Sequence, residues 1–140
     1  NTSVGYKFLA TLQPYIIDVF KSYGWSYNSK KVFYSGMWAI INKKGNSNTE
    51  HIHPNSNLSA AYYVKAPEKG GDFLVNNPHS MSRNIFPKRE NPTELNRLIA
   101  KHKVEEGDLL IFPAYLPHQV LPNESDEDRI VISFNLWIQR

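Results

Sequence analysis

Two histidines one residue apart, His51 and His53, are the residues whose type and spacing first suggest chemistry. In an extended strand, alternate side chains project to the same side, so both imidazoles would enter one space. Neutral imidazole is the commonest protein ligand for transition metals. The pair therefore predicts half of a metal site. The alternative is a surface pair without a metal, and a third ligand has to distinguish the two.

A third histidine, His118, lies in "GDLLIFPAYLPHQVLPN" (107–123), after a buried-strand pattern and a turn bounded by prolines. Turns at the rim of a barrel bring ligands together while the flanking strands hold them rigid. By contrast, His79 lies in a polar loop, and His102 ends a predicted helix, where a histidine favours the helix dipole. We expect His51, His53 and His118 to bind the metal, and His79 and His102 to be structural or exposed.

The elements that must position these histidines are mostly strands. Short segments rich in β-branched and aromatic residues alternate with Gly, Pro, Asn and Asp, and they cover residues 32–41, 58–64, 72–75, 108–112, 118–121 and 129–138. "PEKGGD" (67–72) predicts a hairpin turn, with Gly70 and Gly71 free to take positive φ. The fold class is therefore mostly β, and a double-stranded β-helix (jelly-roll or cupin-like) is predicted for about 32–138.

One or two helices should flank this core. A stripe of apolar residues spaced by three and four predicts an amphipathic helix, at Leu12, Tyr15, Ile16, Val19, Phe20 and Tyr23. Pro14 is tolerated only near the start of such a helix, and Gly24 is suited to end it. A second short helix is predicted for 92–101, with Asn91 as its cap. The helical part covers about 1–24.

Composition limits the function classes. The 140 residues are enough for a single domain, 1–140, and they contain no cysteine. Disulfides, thiolate metal sites and thiol nucleophiles are thereby excluded, and a reducing, cytoplasmic location is expected. The net charge of +3 is scattered rather than clustered, so nucleic-acid binding is not expected. No apolar run approaches the length of a membrane span.

Four separated blocks carry a family resemblance: "HIHPNSNLSAAYYV", "KGGDFLVNNP", "GDLLIFPAYLPHQVLPN" and "RIVISFN". In this order they resemble a group of short 2-oxoglutarate- and iron(II)-dependent oxygenases of bacteria and phages. The similarity runs from about Trp38 to Asn135. It implies a dioxygenase on a double-stranded β-helix, with Fe(II) at one open end and 2-oxoglutarate and O2 as cosubstrates. Such an enzyme hydroxylates a substrate, which the sequence does not identify, and releases succinate and CO2.

The resemblance also implies the ligands. Family members bind iron through an early H-x-D/E pair and a late histidine, and these positions fall on His51, His53 and His118. This chain has His53 in place of the carboxylate, so the usual facial triad of two histidines and one carboxylate is changed. Either all three histidines bind the iron, or His53 only contacts another ligand of the iron and a water molecule occupies its coordination position. Asn55 could form a hydrogen bond there.

The cosubstrate contact that the resemblance implies is Arg129, eleven residues beyond His118. In these oxygenases a basic residue at this place binds the distal carboxylate of 2-oxoglutarate, which suits a planar guanidinium. Ser133 and Tyr62 (or the adjacent Tyr63) could add hydroxyl donors. Strand alternation puts Arg129, Ser133 and Asn135 on one face. The alternative role for Arg129 is a surface ion pair with the acidic residues at 126–128.

Two further expectations concern the substrate and the function class. The loop 76–91 should be a mobile segment near the iron, with Arg83 as a weak candidate for substrate contact. The competing functions are a cupin-type three-histidine metalloenzyme that does not use 2-oxoglutarate, and a non-catalytic jelly-roll binding domain. The cupin signature lacks its glutamate, because Asn57 and Leu58 stand there. Arg129 is the residue that favours the oxygenase.

Overall fold

The computed structural model describes residues 4–79, 88, 90, 91, 93 and 96–139. The chain divides into two compact units by its contacts. The first contains the described residues of 1–33 and 138–140, and the second is Tyr34–Trp137. The histidines and Arg129 all lie in the second unit, so the functional site is a property of that unit.

The first unit is built on helix α1, Val4–Ser22, followed by a short 3-10 helix at Ser29–Lys31. The buried residues of α1 are spaced by three and four, at Leu9, Leu12, Ile16 and Phe20. Gly24 has a φ of +66°, and the amide of Trp25 bonds to the carbonyl of Phe20 at 2.8 Å. This is a Schellman ending, which needs a residue in the left-handed region. No helix within the described residues is both long and apolar enough to cross a membrane.

Helix α1 lies within the predicted helical part, 1–24, but the position predicted for Pro14 was wrong. We expected Pro14 near its start, but the helix begins at Val4 and Pro14 lies in its interior. Proline lacks the N–H that would bond to the carbonyl four residues earlier, so this position is unfavourable locally. The buried stripe nevertheless continues through Leu9, which is 6% exposed. Burial of that stripe outweighs the lost hydrogen bond.

The described residues form eight strands in two four-stranded sheets. The strands are β1 Val32–Asn42, β2 Asn48–His51, β3 Leu58–Lys65, β4 Phe73–Asn76, β5 Ile99–His102, β6 Leu109–Pro113, β7 His118–Val120 and β8 Arg129–Ile138. One sheet has the order β1-β8-β3-β6 and the other β2-β7-β4-β5. This architecture confirms the predicted jelly-roll class.

The two sheets pack face to face. One core cluster takes residues from both of them, namely Ala61, Tyr63, Phe112 and Val131 from the first sheet and Phe73 from the second, together with Val104. In the first sheet Ser59 lies opposite Asn135 and Ala61 opposite Ser133. Since alternate residues of a strand share a face, Arg129, Val131, Ser133 and Asn135 lie on one face of β8, and this face is directed inward.

The predicted hairpin turn at 67–72 was wrong. Strands β3 and β4 belong to different sheets, so this segment crosses from one sheet to the other. Gly71 takes a φ of +90°, whereas Gly70 is not among the positive-φ residues. A Cβ on Gly71 would lie 2.2 Å from the carbonyl oxygen of Leu121 and 2.7 Å from Nη1 of Arg129. Glycine therefore allows the crossover to approach the site closely.

The predicted helix at 92–101 was also wrong over its described second half. Ile99–His102 is strand β5, paired antiparallel with β4 from Ile99↔Asn76 to His102↔Phe73. Residues 92, 94 and 95 lie outside the described part of the chain. The capping pattern at Asn91 is a local signal, and pairing with the free edge of β4 prevails over local propensity.

Candidate metal and cosubstrate site

A cavity of about 270 Å³ lies between the two sheets of the second unit. Half of its lining is apolar, from Trp38, Ile40, Ala60, Ala61, Phe73, Phe112, Val120 and Val131. The other half is polar, from Asn42, Asn48, His51, His53, Tyr63, His118, Arg129 and Ser133. Such a cavity, with a few convergent polar groups in apolar walls, is typical of a small-molecule site.

The structure brings the three predicted histidines together. Their candidate ligand atoms all lie within 4.8 Å of one another. His51 ends β2 and lies opposite His118, which begins β7. The main-chain amide of His53, just beyond β2, bonds to the carbonyl of Ala114 at 2.8 Å. Each histidine is thus positioned at a strand end or by a main-chain bond, and together they offer three nitrogen ligands to one ion.

An irregularity in β2 orients the first histidine. Asn48 pairs with Val120 and His51 with His118, so three steps along β2 match two steps along β7. Such a β-bulge inserts one extra residue into one strand. In a regular strand Asn48 and His51 would face opposite sides, but both line the cavity. The bulge therefore places an amide and an imidazole on the same wall.

The protonation of two of the rings follows from their hydrogen bonds. Nδ1 of His51 lies 2.7 Å from the carbonyl oxygen of Thr49, and Nδ1 of His118 lies 2.8 Å from that of Leu116. Since a carbonyl oxygen only accepts, each Nδ1 carries the hydrogen and donates it. In the neutral rings Nε2 then has a free lone pair. This is the tautomer that metal-binding histidines adopt when the other ring nitrogen is held by a carbonyl.

Burial keeps the deeper rings neutral. His118 is 3% exposed and packs against Phe73 and Phe112, with ring centroids 5.4 and 4.6 Å away. Burial lowers the pKa of His118 to about 4, against a smaller opposing effect of the Leu116 carbonyl. The pKa of His53 is also lowered, first by burial and then by His51. Neutral imidazoles are the form that binds metals.

His53 has contacts that differ from those of the other two histidines. Its Nδ1 lies 3.4 Å from the amide nitrogen of Asn135, and its Nε2 lies 3.3 Å from Nε2 of His118. Its ring centroid is 6.0 Å from that of Trp38. Asn135 was expected on the inward face of β8 but not as a partner of a histidine. The sequence shows no spacing that would have revealed this contact.

Arg129 is completely buried in the wall of the same cavity. Its Nη1 donates to the carbonyls of Gly70 and Leu121, the latter at 3.0 Å, and Nη2 reaches the side-chain oxygen of Asn48 at 3.4 Å. Nε has no partner among the described residues. Burial lowers the pKa of Arg129, and Tyr63 acts in the opposite direction. A buried cation with neutral partners and an unused donor calls for an anion.

The surface ion pair considered for Arg129 is not formed. Within the described residues no carboxylate lies at salt-bridge distance from Arg129; Asp126 pairs with Lys44 and Glu127 with Lys65, each at 2.7 Å. Those pairs are solvent-exposed. The acidic turn at 124–128 therefore faces solvent, and the guanidinium remains available inside the cavity.

Around Arg129 the cavity offers further hydroxyl and amide groups. Ser133 lines it as predicted, but Tyr62 does not. Because side chains alternate along β3, the inward phenol belongs to Tyr63, whose pKa is raised to about 12, chiefly by burial. Asn42, which the sequence did not single out, also lines the cavity, and its buried Oδ1 has no partner among the described residues.

The remaining candidates lie elsewhere. Asn55 is exposed, has a φ of +64° and does not line the cavity, so the structure shows it as a turn residue. Arg83 and most of the loop predicted at 76–91 lie outside the described residues. His79 is exposed, as expected. His102 was expected at a helix end but belongs to β5, and its Nε2 lies 3.6 Å from a carboxylate oxygen of Asp108.

The residues present fit both groups that the resemblance implies. Three imidazoles whose ligand atoms lie within 4.8 Å of one another suit a first-row transition metal such as iron. The Nε of buried Arg129, which has no partner in the described part of the chain, suits a carboxylate in the same cavity. No carboxylate belongs to the metal cluster found among the described residues, which agrees with the departure seen in the sequence at His53.

Comparison with solved structures supports the fold. An oxidoreductase of the 2OG-Fe(II) oxygenase family from Burkholderia pseudomallei is 14% identical, with a TM-score of 0.58 over 76% of this chain and 45% of that one. A prolyl-4-hydroxylase from Pseudomonas putida is 14% identical, with a TM-score of 0.63 over 99% of this chain and 68% of that one. HygX from Streptomyces hygroscopicus with iron bound is 13% identical, with a TM-score of 0.55 over 77% of this chain and 59% of HygX.

Sequence comparison identifies the family. The chain spans less than half of the Burkholderia protein, and a search of curated proteins found no significant match. A family model of 2OG-Fe(II) oxygenases, however, matches residues 36–135. That range contains the three histidines, Arg129 and the whole cavity lining. With its family sequence pattern, its two-sheet fold and a histidine cluster beside a buried arginine, this chain belongs to the 2OG-Fe(II) oxygenase family.

Proposed function

We propose that this protein is an Fe(II)- and 2-oxoglutarate-dependent dioxygenase that hydroxylates a C–H bond of its substrate. The observation that carries the proposal is the presence of Arg129 in the same cavity as three clustered histidines, completely buried and with an Nε that no described residue contacts by a hydrogen bond. In a cupin-type metalloenzyme the histidines would bind the metal, but a buried guanidinium would have no ligand to bind. The arginine therefore favours a dicarboxylate cosubstrate.

In this proposal His51, His53 and His118 hold the iron. When bound, the iron supplies the activation of O2, so that one oxygen atom enters the substrate and the other enters succinate as 2-oxoglutarate loses CO2. The protein keeps the rings of His53 and His118 neutral, since burial lowers the pKa of both. A set of neutral ligands leaves the full charge of the metal uncompensated. This strengthens the attraction for an anionic cosubstrate.

Arg129 binds the distal carboxylate of 2-oxoglutarate through Nε, with Ser133 and Tyr63 as hydroxyl donors on the same wall. Tyr63 remains protonated at neutral pH, because its pKa is raised to about 12. It therefore acts as a donor and not as a second anion. The apolar walls exclude water, which makes each of these polar contacts stronger than it would be in solvent.

Two broader proposals complete this assignment. The chain acts as a single oxygenase domain over 1–140, which is supported by the Pseudomonas putida structure matching 99% of its length. It works in the cytoplasm with 2-oxoglutarate, O2 and a substrate as partners, which is supported by the absence of cysteine from the 140 residues.

The experiment is an anaerobic titration with Fe(II) and then 2-oxoglutarate, followed by the visible charge-transfer absorption of the ternary complex. His51→Ala and His118→Ala should each abolish tight iron binding, whereas His102→Ala, an exposed histidine of β5, serves as the matched control. Wild-type iron binding by both cavity variants would disprove the metal site.

Arg129→Gln should keep iron binding but lower the affinity for 2-oxoglutarate by at least a hundredfold, as expected for a lost charged contact in a buried site. Arg97→Gln is the control, since Arg97 is exposed. If wild-type protein binds iron but neither binds nor consumes 2-oxoglutarate, the protein is not a 2-oxoglutarate oxygenase.

A further inference from the structure

Four side chains form a continuous hydrogen-bonded series from β3 to the histidine cluster. Ser59 Oγ donates to Oδ1 of Asn135 at 2.8 Å. The amide nitrogen of Asn135 lies 3.4 Å from Nδ1 of His53, and Nε2 of His53 lies 3.3 Å from Nε2 of His118. The series ends where Nδ1 of His118 donates to the carbonyl of Leu116 at 2.8 Å.

The direction of every donor in this series follows from the His118 end and from the orientation of the Asn135 amide. His118 uses its only hydrogen toward Leu116, so its Nε2 can only accept. Ser59 donates to the oxygen of Asn135, which leaves the amide N–H of Asn135 pointing at Nδ1 of His53. Nδ1 of His53 therefore accepts, and its hydrogen is on Nε2, directed at His118. In this state the Nε2 of His53 has no lone pair for a metal.

The opposite orientation of the Asn135 amide would give His53 the other tautomer. Oδ1 would accept from Nδ1–H of His53, and the lone pair on its Nε2 would face the lone pair on Nε2 of His118 at 3.3 Å. Two lone pairs at that distance repel each other unless a cation lies near both of them. The favourable orientation of Asn135 thus depends on whether a metal is bound.

We propose that Asn135 is a positioning residue whose side-chain amide turns over when a metal binds, which changes His53 from a hydrogen-bond donor to His118 into a metal ligand. This inference rests on the proposed metal site but not on the use of 2-oxoglutarate. Asn135 does not itself bind the metal. It acts through His53, and the hydroxyl of Ser59 can donate to its oxygen in one orientation and accept from its nitrogen in the other.

The tautomers are measured directly by ¹⁵N NMR of the histidine rings, in metal-free protein and after addition of Zn²⁺ as a diamagnetic probe. Without metal, His53 should carry its hydrogen on Nε2, whereas His51 and His118 carry theirs on Nδ1. With Zn²⁺ all three should carry it on Nδ1. If His53 already carries its hydrogen on Nδ1 in the metal-free protein, the proposal is wrong.

Zn²⁺ affinity gives a second, independent readout. Asn135→Asp has only acceptor oxygens at this position, so it should hold His53 in the ligand tautomer and raise the affinity about tenfold, the scale of such outer contacts. Asn48→Asp is the control, because it adds a carboxylate to the same cavity beside Arg129 and not beside His53. An equal gain in both variants would show a general charge effect and overturn the role of Asn135.

Asn135→Leu separates this inference from the proposed function. It removes the contact while leaving all three histidines in place, so His53 should keep its hydrogen on Nε2 in metal-free protein, where it still donates to His118, but Zn²⁺ affinity should fall because no side-chain oxygen accepts from Nδ1–H in the bound state. If wild-type protein binds no Zn²⁺ or Fe²⁺ at all, the metal site itself fails. If metal binds and the tautomer of His53 never changes, only the proposal on Asn135 fails.

Discussion

Burial of the neutral ring of His118 should make the metal-free protein lose stability as the solution is acidified. The ordinary pKa of a histidine is 6.5, and burial lowers that of His118 to about 4 in the folded protein. Between these two values the unfolded chain binds a proton that the folded protein does not. The stability contributed by this ring is therefore fully present above pH 6.5 and is lost as the pH falls towards 4.

The magnitude follows from the two pKa values. A tenfold change in proton affinity corresponds to about 1.36 kcal/mol, so the difference between 6.5 and about 4 corresponds to about 3 kcal/mol. His53, whose pKa is also lowered by burial, acts in the same direction. Such a loss is a large part of the stability of a domain of this size.

The assay is urea unfolding in the presence of a chelator, repeated from pH 8 to pH 4, for wild type and for His118→Gln. Glutamine keeps a polar group at this position but does not titrate, so the difference between the two curves isolates His118. The free energy of unfolding of wild type should fall by about 3 kcal/mol more than that of the variant. Two curves that remain parallel to within about 0.5 kcal/mol would show that the ring is not held neutral by burial.

Two substitutions test the packing around the site and in helix α1. Gly71→Ala should destabilise the protein by more than about 2 kcal/mol in urea unfolding and weaken 2-oxoglutarate binding, because its Cβ would lie 2.2 Å from the carbonyl oxygen of Leu121 and 2.7 Å from Arg129. Gly45→Ala is the control: its φ is also positive but nothing lies within 4 Å of the added Cβ, so only about 1 kcal/mol should be lost. Pro14→Ala should stabilise the protein by about 2 kcal/mol and raise its Tm, since it restores a helical N–H. An unchanged or lower Tm of the Pro14→Ala variant would contradict this last prediction.

Much of the site was predictable because its signals are local. The spacing of His51 and His53, the strand after them and the proline-bounded turn before His118 indicated which histidines would meet. Alternation along β8 placed Arg129 and Ser133 on one face, and in the structure both line the cavity. The shared faces follow from the two-residue period of a strand, which is fixed by backbone geometry, whereas Arg129 was chosen from the family resemblance and His118 from the turn before it together with that resemblance.

Other parts depend on pairings that a single sequence does not reveal. The choice between Tyr62 and Tyr63 depends on which face of β3 is inward. The strand at Ile99–His102 exists because β4 offers it an edge, and the segment at 67–72 crosses between sheets rather than closing a hairpin. The contact between Asn135 and His53 joins residues that are far apart in the chain. In each case a long-range partner decides the outcome, and local propensity does not.

The bulge in β2 absorbs one residue, so the spacing of Asn48 and His51 in the sequence does not by itself show that their side chains share a wall. Deletion of one residue between them would restore regular pairing with β7 and, because residues two apart in a strand face the same side, would leave both side chains directed at the cavity. Substitution at Thr49 should also be mild, because its contribution to His51 is a main-chain carbonyl. In evolution, the segment before the first histidine should therefore accept both changes of sequence and the loss of one residue.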